Sequence, residues 1–259
     1  MDWTLITGAS EGFGREFADL AAAEGRNLIL TARQADKLAA LADEMRSRHG
    51  VQTAVIPADL SQPGEPERLW AEASAGRIID VLVNNAGLGR NGAFSDPDGW
   101  PRERASIEVN ITAATILMKL AAVDMAKRGA GKILNVASAA GFLPGPNMAV
   151  YHATKAYFLS LSEAAGSELA RQGVSVTALC PGASETNFFK ADQADKATIL
   201  TKLMPLPSAR SVAAAGWRAM GRGQRVIVTG IDNKIFTFLP RLLPRKVITW
   251  TVGQFLKRR

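Results

Sequence analysis

Short apolar runs alternate with longer amphipathic stretches along most of the chain, which predicts strands and helices in turn. The apolar runs are continuous, as is typical of strands covered on both faces of a parallel sheet. The predicted strands are Trp3 to Thr7, Asn27 to Thr31, Thr53 to Ile56, Ile79 to Val83, Lys132 to Val136, Val174 to Leu179 and Arg225 to Val228. The predicted helices are Phe13 to Glu24, Gln34 to His49, Pro66 to Ala75, Ala105 to Arg128, and one through position 151 to about Gln172. This order predicts one doubly wound α/β domain over residues 1–232, with a seven-stranded parallel sheet flanked by helices.

Two regions depart from this rhythm. Gly182 to about Ser208 contains no strand and follows the carboxyl end of one, which is where a lid over a ligand is often found. Residues 233–259 form a basic amphipathic C-terminal extension with seven basic residues and no acidic one. Its basic residues and prolines disfavour a membrane span. The extension is therefore expected to dock on a membrane surface or on another subunit.

Composition and charge narrow the class of protein. The 259 residues are 47% hydrophobic and 21% charged, as in an ordinary globular protein. The net charge of +7 equals the charge of the C-terminal extension, so the rest is neutral overall and no nucleic-acid partner is expected. One cysteine, Cys180, and two histidines do not indicate a disulfide or a metal site. The first strand starts almost at Met1, so we expect no targeting segment and a cytoplasmic location.

A glycine-rich turn joins the first strand to the first helix. It contains Gly8, Ser10, Gly12, Phe13 and Gly14. Glycines allow a tight turn and a close approach of the backbone to a pyrophosphate, and the helix amino terminus offers free N–H groups to that anion. The spacing of the glycines differs from that of the common dinucleotide fingerprint. A Rossmann-type nucleotide site is nevertheless the function that this turn favours.

A tyrosine and a lysine four residues apart indicate proton transfer beside that nucleotide. Tyr151 and Lys155 fall on one face of a predicted helix, with Ser138 thirteen residues upstream and Asn110 earlier in the chain. A nearby ammonium group would favour the phenolate and lower the tyrosine pKa. Tyr151 is then the general acid or base of an oxidoreductase, Lys155 supports it, and Ser138 orients the substrate oxygen.

These motifs, together with Asn84-Asn85-Ala86-Gly87 and Pro181-Gly182, occur in the order used by short-chain dehydrogenases/reductases, and the sequence resembles that family over residues 2–230. The resemblance implies that Asn110 anchors a water between Lys155 and solvent. It also implies dimers or tetramers. The cofactor contacts that it implies are Asp59 and Leu60 at the adenine, Asn84, Ala86 and Gly87 at the adenosine side, and Pro181, Gly182 and Thr186 at the nicotinamide, with Tyr151 and Lys155 beside it.

The end of the second predicted strand bears on the choice of cofactor. An acidic residue there would bind the ribose 2′-hydroxyl of NAD, whereas an arginine can pair with the 2′-phosphate of NADP. Ala32 occupies the acidic position and Arg33 follows it. NADP is therefore the preferred cofactor, with NAD still possible.

The substrate is indicated only by apolar residues near the motifs, namely Leu88, Phe94, Phe142, Leu143, Met148, Phe188 and Phe189. They favour a small hydrophobic ketone or secondary alcohol. A non-catalytic nucleotide sensor and a membrane-surface protein on the same fold are the alternatives. The sensor is disfavoured because this chain keeps both Tyr151 and Lys155.

Overall fold

The computed structural model describes residues 2–184 and 206–256, and its centre is one twisted parallel sheet. The strand order is β3-β2-β1-β4-β5-β6-β7, and every neighbouring pair is parallel. The strands are β1 (Trp3–Thr7), β2 (Asn27–Thr31), β3 (Thr53–Val55), β4 (Ile79–Asn84), β5 (Gly131–Val136), β6 (Val174–Cys180) and β7 (Val226–Val228). The predicted seven-stranded parallel sheet is thus confirmed.

Helices cover both faces of this sheet. They are α1 (Gly12–Ala23), α2 (Ala35–His49), α3 (Glu65–Ser74), α4 (Trp100–Ile107), α5 (Ala114–Arg128), α6 (Ala149–Leu169), α7 (Ala209–Gly221), α8 (Ile231–Phe238) and α9 (Arg245–Leu256). The sequence did not predict α7, whose interior Gly216 weakens the helical pattern. Ser208 caps α7, because its hydroxyl accepts a hydrogen bond from the backbone N–H of Ser211.

The helix predicted from Ala105 to Arg128 differs in the structure. It begins earlier, at α4, and a π-helical turn, Glu108–Ala113, separates α4 from α5. The whole helical run is long and apolar enough to cross a membrane by length and composition, but half of its most apolar window is buried within the fold. Leu117 and Met125 are fully buried in the core, which explains the apolar composition of α5.

The core consists of one apolar layer on each face of the sheet. On one face, Phe17 of α1 and Trp217 of α7 pack beside α2, with their ring centroids 6.5 Å apart. On the other face, Leu69 of α3 and Leu117 of α5 pack against strands β1, β4 and β5. Since both faces are covered, polar side chains of the inner strands such as Thr7 and Asn84 are buried and form hydrogen bonds within the fold.

The sheet order places the functional loops together. The chain leaves β1 toward β2 on one side and returns to β4 on the other, so the order reverses at β1. Parallel strands end at the same edge, and a crevice opens where the order reverses. The loops after β1, β4, β5 and β6 meet at that edge.

The C-terminal helices pack on this domain. Ile248 and Val252 of α9 are buried against Leu143, and a Cβ placed on Gly253 would lie 3.2 Å from Pro146. Helix α8 begins at Ile231, so the expected boundary between residues 232 and 233 falls inside a helix. In the described part of the chain, helices α8 and α9 therefore continue the α/β domain.

Candidate active site

A cavity of about 1050 Å³ lies at the carboxyl edge of the sheet. Residues from the loops after β1, β2, β4, β5 and β6 line it, and helices α6, α8 and α9 complete its wall. The glycine-rich turn and the predicted catalytic residues Ser138, Tyr151 and Lys155 all open onto this single space.

Three glycines of the glycine-rich turn occupy positions where a side chain would be strained or would clash. Gly8 has φ +64° and Gly12 has φ +57°, a backbone region that favours glycine. A Cβ on Gly14 would lie 2.1 Å from the Gly8 carbonyl oxygen, so α1 can approach the turn only if that position has no side chain. The result is an open cradle of backbone at a helix amino terminus, which fits a dinucleotide pyrophosphate.

Thr7 and Asn85, to which the sequence analysis assigned no individual contact, hold this cradle in place. The Thr7 hydroxyl oxygen accepts hydrogen bonds from the backbone N–H groups of Asn85 and Ala86, both at 2.9 Å. The Asn85 amide in turn donates to the carbonyl oxygens of Thr7 and Gly8, at 2.9 and 3.1 Å. Asn85 thereby ties the loop after β4 to the glycine-rich turn. A threonine at the end of a buried strand was the available clue.

Most of the predicted cofactor residues line the cavity. They are Gly8, Ser10, Gly12, Phe13, Arg33, Asp59, Leu60, Ala86, Gly87, Pro181 and Gly182. Thr186 lies outside the described residues. Gly14 and Asn84 do not line the cavity, so their cofactor contacts stay predictions: Gly14 packs against the Gly8 carbonyl group, and Asn84 is buried. The Asn84 amide donates to the Ala114 carbonyl oxygen at 3.0 Å, so Asn84 joins β4 to α5 and its neighbour Asn85 faces the cavity.

Ser138 and Tyr151 place two hydroxyl groups side by side. A hydrogen bond joins their side chains. Ser138 begins a short 3-10 turn, where its oxygen accepts a hydrogen bond from the Ala140 N–H at 3.1 Å and its hydroxyl lies 3.4 Å from the Pro181 carbonyl oxygen. These contacts fix the Ser138 rotamer. A carbonyl oxygen placed between the two hydroxyl groups would receive hydrogen bonds from both.

Burial raises the pKa of Tyr151 to about 12, although the hydrogen bond with Ser138 lowers it in part. This direction is opposite to the one expected from the sequence, in which Lys155 was to lower the tyrosine pKa. The reason is that the desolvation of the phenol outweighs its neighbours. The phenol is therefore protonated at neutral pH, which is the form that can donate a proton.

Lys155 is buried, and a hydrogen bond to the sheet holds its ammonium group in place. Its ammonium group donates a hydrogen bond of 2.8 Å to the Val136 carbonyl oxygen at the end of β5. Burial lowers the pKa of Lys155 to about 8, and the nearby Cys180 thiol opposes the shift. Cys180 itself is buried at the end of β6, and burial raises its thiol pKa to about 12. Lys155 thus remains largely charged at neutral pH but can release its proton easily.

Asn110 lies at the centre of the π-helical turn between α4 and α5. Its side chain accepts a hydrogen bond from the Leu88 N–H at 2.9 Å and donates to the Leu88 carbonyl oxygen at 2.8 Å. It also donates to the Thr154 hydroxyl at 3.0 Å. A Cβ on Gly87 would lie 3.4 Å from both the Asn110 oxygen and the Lys155 nitrogen, so the two groups flank this glycine. Asn110 therefore joins the loop after β4 to α6, which carries Tyr151.

Only some of the predicted substrate residues reach the cavity. Leu88 and Met148 line it. Phe94 does not line it and is 74% exposed. Phe142 and Leu143 pack instead against Ile248, Val252 and Leu256 of α9. Phe188 and Phe189 lie outside the described residues. The residues that the sequence analysis missed are in the C-terminal helices, where Phe236, Val252, Phe255 and Leu256 line the cavity.

The fold and the site together define a dinucleotide-dependent oxidoreductase. The sequence model of the short chain dehydrogenase family matches residues 2–197. The chain therefore belongs to the short-chain dehydrogenase/reductase family, as its motifs indicate.

Curated relatives include lipid and steroid enzymes. A very-long-chain 3-oxoacyl-CoA reductase from Podospora anserina is 39% identical over 178 residues, covering 67% of this chain and 52% of that protein. The chain thus spans about half the length of this relative. A 7β-hydroxysteroid dehydrogenase from Collinsella aerofaciens is 34% identical over 185 residues, covering 71% of this chain and 70% of that protein.

Solved structures show the same fold bound to either nicotinamide cofactor. A short-chain dehydrogenase from Sphingobium yanoikuyae in complex with NADPH is 28% identical with a TM-score of 0.81, covering 95% of this chain and 97% of its own. One from Burkholderia phymatum in complex with NAD is 26% identical with a TM-score of 0.79, covering 92% of each chain. A nicotinamide cofactor is therefore supported for this chain.

Proposed function

We propose that this protein is an NADP-dependent oxidoreductase that interconverts a hydrophobic ketone and its secondary alcohol. The observation that carries the proposal is the convergence of Ser138, Tyr151 and Lys155 on the cavity that the glycine-rich turn also lines. When bound, the nicotinamide supplies or accepts the hydride. The residues of this chain would supply orientation, electrostatic support and a proton.

The proton would come from the Tyr151 phenol. In reduction, the substrate oxygen gains negative charge while it lies between the Ser138 and Tyr151 hydroxyl groups, and the phenol donates its proton to that oxygen. The Lys155 ammonium, which β5 holds beside the tyrosine, stabilises the phenolate that remains. In oxidation the same phenolate would act as the base.

The preference for NADP rests on the end of β2. Arg33 is exposed and lines the cavity, and the preceding residue, Ala32, offers no carboxylate to a ribose hydroxyl. Burial would raise the pKa of Asp59, but hydrogen bonds from Ser61 and the charge of Arg33 together lower it. An exposed guanidinium at this position could pair with the 2′-phosphate of NADP, which supports the proposed preference.

The hydrophobic substrate is supported by the apolar part of the cavity wall. Leu88, Met148 and Phe236 line this part of the cavity together with Val252 and Phe255. Such a wall gains affinity mainly by removing apolar substrate surface from water. The curated relatives that act on acyl chains or steroids agree with this substrate class.

The proposal also includes a homodimer or homotetramer in the cytoplasm. Val123 of α5 and Tyr157 of α6 are 44% and 40% exposed on neighbouring helices, where they offer an apolar surface to another copy. The Tyr157 hydroxyl lies 3.1 Å from the Thr115 hydroxyl, which fixes its ring at that surface. Analytical ultracentrifugation would measure the assembly.

The function is tested by following NADPH oxidation with ketones of graded size, from acetone to a steroid ketone. We expect kcat/KM to rise with the apolar area of the ketone. Uniformly low activity with every ketone, despite NADPH binding, would favour a nucleotide sensor. A higher kcat/KM with NADH than with NADPH would refute the cofactor assignment.

A further inference from the structure

Helices α8 and α9 belong both to the cavity wall and to the outer surface. Phe236 and Phe255 line the cavity and yet are 36% and 39% exposed. Val252 and Ile248, on the inner side of α9, are buried against the body. The rim of the cavity on this side is therefore made of aromatic residues that face the cavity and solvent together.

The outer surface of these helices and of the segment between them is unusually apolar for this chain. Of the fifteen exposed large hydrophobic residues in the described ranges, ten lie between positions 231 and 255. They are Ile231, Ile235, Phe236, Phe238, Leu239, Leu242, Leu243, Val247, Trp250 and Phe255. We call this set the C-terminal apolar surface. A concentration of this kind usually marks a docking surface.

The charge around this surface distinguishes among possible partners. Lys234, Arg241, Arg245 and Lys246 lie among the apolar residues, and no acidic residue follows position 232. The Arg241 guanidinium lies 5.9 Å from the centroid of the Phe238 ring, so one of the cations is held against the apolar surface. Two copies docked through this surface would bring these positive charges together. An anionic lipid surface instead complements both the cations and the apolar residues.

We propose that α8 and α9 dock on an anionic bilayer and that the cavity takes its substrate from the lipid phase through the rim between them. The substrate class is then a membrane-partitioned ketone or alcohol with a long apolar chain or ring system. The identity of the substrate rests on the proposed function above, whereas the docking of the helices does not. Phe236 and Phe255 would form a continuous apolar path from the bilayer into the cavity.

Docking is tested with the full chain and two kinds of vesicle, phosphatidylcholine alone and an equal mixture of phosphatidylcholine and phosphatidylglycerol. We expect co-sedimentation with the mixed vesicles and a blue shift of Trp250 fluorescence that Trp250→Phe removes. The double variant Leu242→Ser, Trp250→Ser should weaken binding at least tenfold, because both side chains are exposed and neither lines the cavity. The matched control Ile78→Ser, Trp100→Ser, which changes exposed residues of the same types elsewhere on the domain, should bind as the wild type does.

The charge contribution is tested in the same way. Arg241→Glu with Lys246→Glu should abolish the preference for anionic vesicles, whereas Arg171→Glu with Arg222→Glu on the body should not. Wild-type binding to mixed vesicles should also weaken as the salt concentration rises. Equal binding to both vesicles by the wild type would show that the cations do not contribute and would overturn the anionic-surface proposal.

The delivery of substrate is tested by activity. With a long-chain ketone in mixed vesicles, the Leu242→Ser, Trp250→Ser variant should lose at least tenfold in kcat/KM. With a short water-soluble ketone it should match the wild type. Equal losses with both ketones would overturn delivery through the rim.

Other outcomes separate this inference from the proposed function. Vesicle binding without activity on any ketone would refute the function and leave docking intact. Activity without vesicle binding would refute docking and leave the function intact. A dimer that dissociates in the Leu242→Ser, Trp250→Ser variant would show that the C-terminal apolar surface contacts a second copy instead of lipid, which also overturns the proposal.

Discussion

The Lys155 ammonium nitrogen lies 5.8 Å from the centroid of the Tyr151 ring. Its hydrogen bond to the Val136 carbonyl oxygen fixes this position from β5, while α6 fixes the tyrosine. Burial raises the pKa of the Tyr151 phenol and lowers the pKa of the Lys155 ammonium, so it favours the neutral form of each group. Tyr151 therefore keeps its proton near neutral pH, whereas the Lys155 ammonium can release its proton easily.

Removal of the phenol should separate catalysis from cofactor binding. In Tyr151→Phe, kcat should fall by about 10²- to 10⁴-fold, the usual contribution of a positioned general acid. The Kd of NADPH, measured by fluorescence titration, should change little because the ring remains in place. Retention of more than about a tenth of the wild-type kcat would contradict the acid/base role.

The Arg33 guanidinium should discriminate between the two cofactors. Arg33→Ala should raise the KM of NADPH at least tenfold while changing the KM of NADH little, because only NADPH carries the 2′-phosphate. Arg222→Ala, which removes an exposed arginine after α7, serves as the matched control. Equal increases for both cofactors would show that Arg33 does not contact the phosphate.

Gly14 and Gly221 have different surroundings, so replacing each with alanine should have opposite effects on cofactor binding. Gly14→Ala would place a methyl group 2.1 Å from the Gly8 carbonyl oxygen, so it should either open the glycine-rich turn or unfold α1. Loss of NADPH binding in calorimetry is expected. Gly221→Ala meets nothing within 4 Å, so it should leave binding intact and change the free energy of unfolding by no more than about 1 kcal/mol. Tight NADPH binding by Gly14→Ala would refute the assignment of this turn.

The depressed pKa of Lys155 predicts how stability depends on pH. Its pKa is about 8 in the folded protein, compared with the ordinary lysine value of 10.5. Between these values the unfolded chain holds more protons on this residue, so the free energy of unfolding rises with pH. Relative to Lys155→Met, the wild type should gain about 3 kcal/mol over this interval.

The measurement is urea denaturation of both proteins at pH values from about 7 to about 11. Taking the difference between the two proteins removes the titration of the other groups, including the buried Tyr151 and Cys180. Parallel curves for wild type and variant would mean that Lys155 is not desolvated in the folded state.

Local sequence patterns predicted most elements of the fold. The elements that were not predicted involve contacts that a local pattern does not contain. Continuous apolar runs identified all seven strands to within a residue or so, because a strand covered on both faces has few polar positions. The π-helical turn was not predicted, and the hydrogen bonds of its Asn110 with Leu88 are made between residues 22 positions apart, beyond the reach of a local pattern. Helix α7 was missed because Gly216 is favoured by close packing against Leu179 and not by helical propensity.

The motif residues of the site were recognisable in the sequence, but their neighbours were not. Asn84 and Asn85 have the same side chain, and only the pairing of β4 with its neighbours determines which one faces the cavity. Phe94 and Phe142 were predicted to contact the substrate from proximity in sequence, whereas the aromatic residues that line the cavity wall include Phe236 and Phe255, about a hundred residues later. Contacts made across the fold decide these positions.

The buried thiol of Cys180 has a practical consequence. It is the only cysteine of the chain, it is 0% exposed, and its raised pKa leaves almost no reactive thiolate near neutral pH. A cysteine introduced on the surface of α8 or α9 would therefore be labelled selectively, without a cysteine-free background. In the unlabelled protein, Cys180 would react only when β6 opens. The rate of its modification would therefore measure local unfolding next to the site.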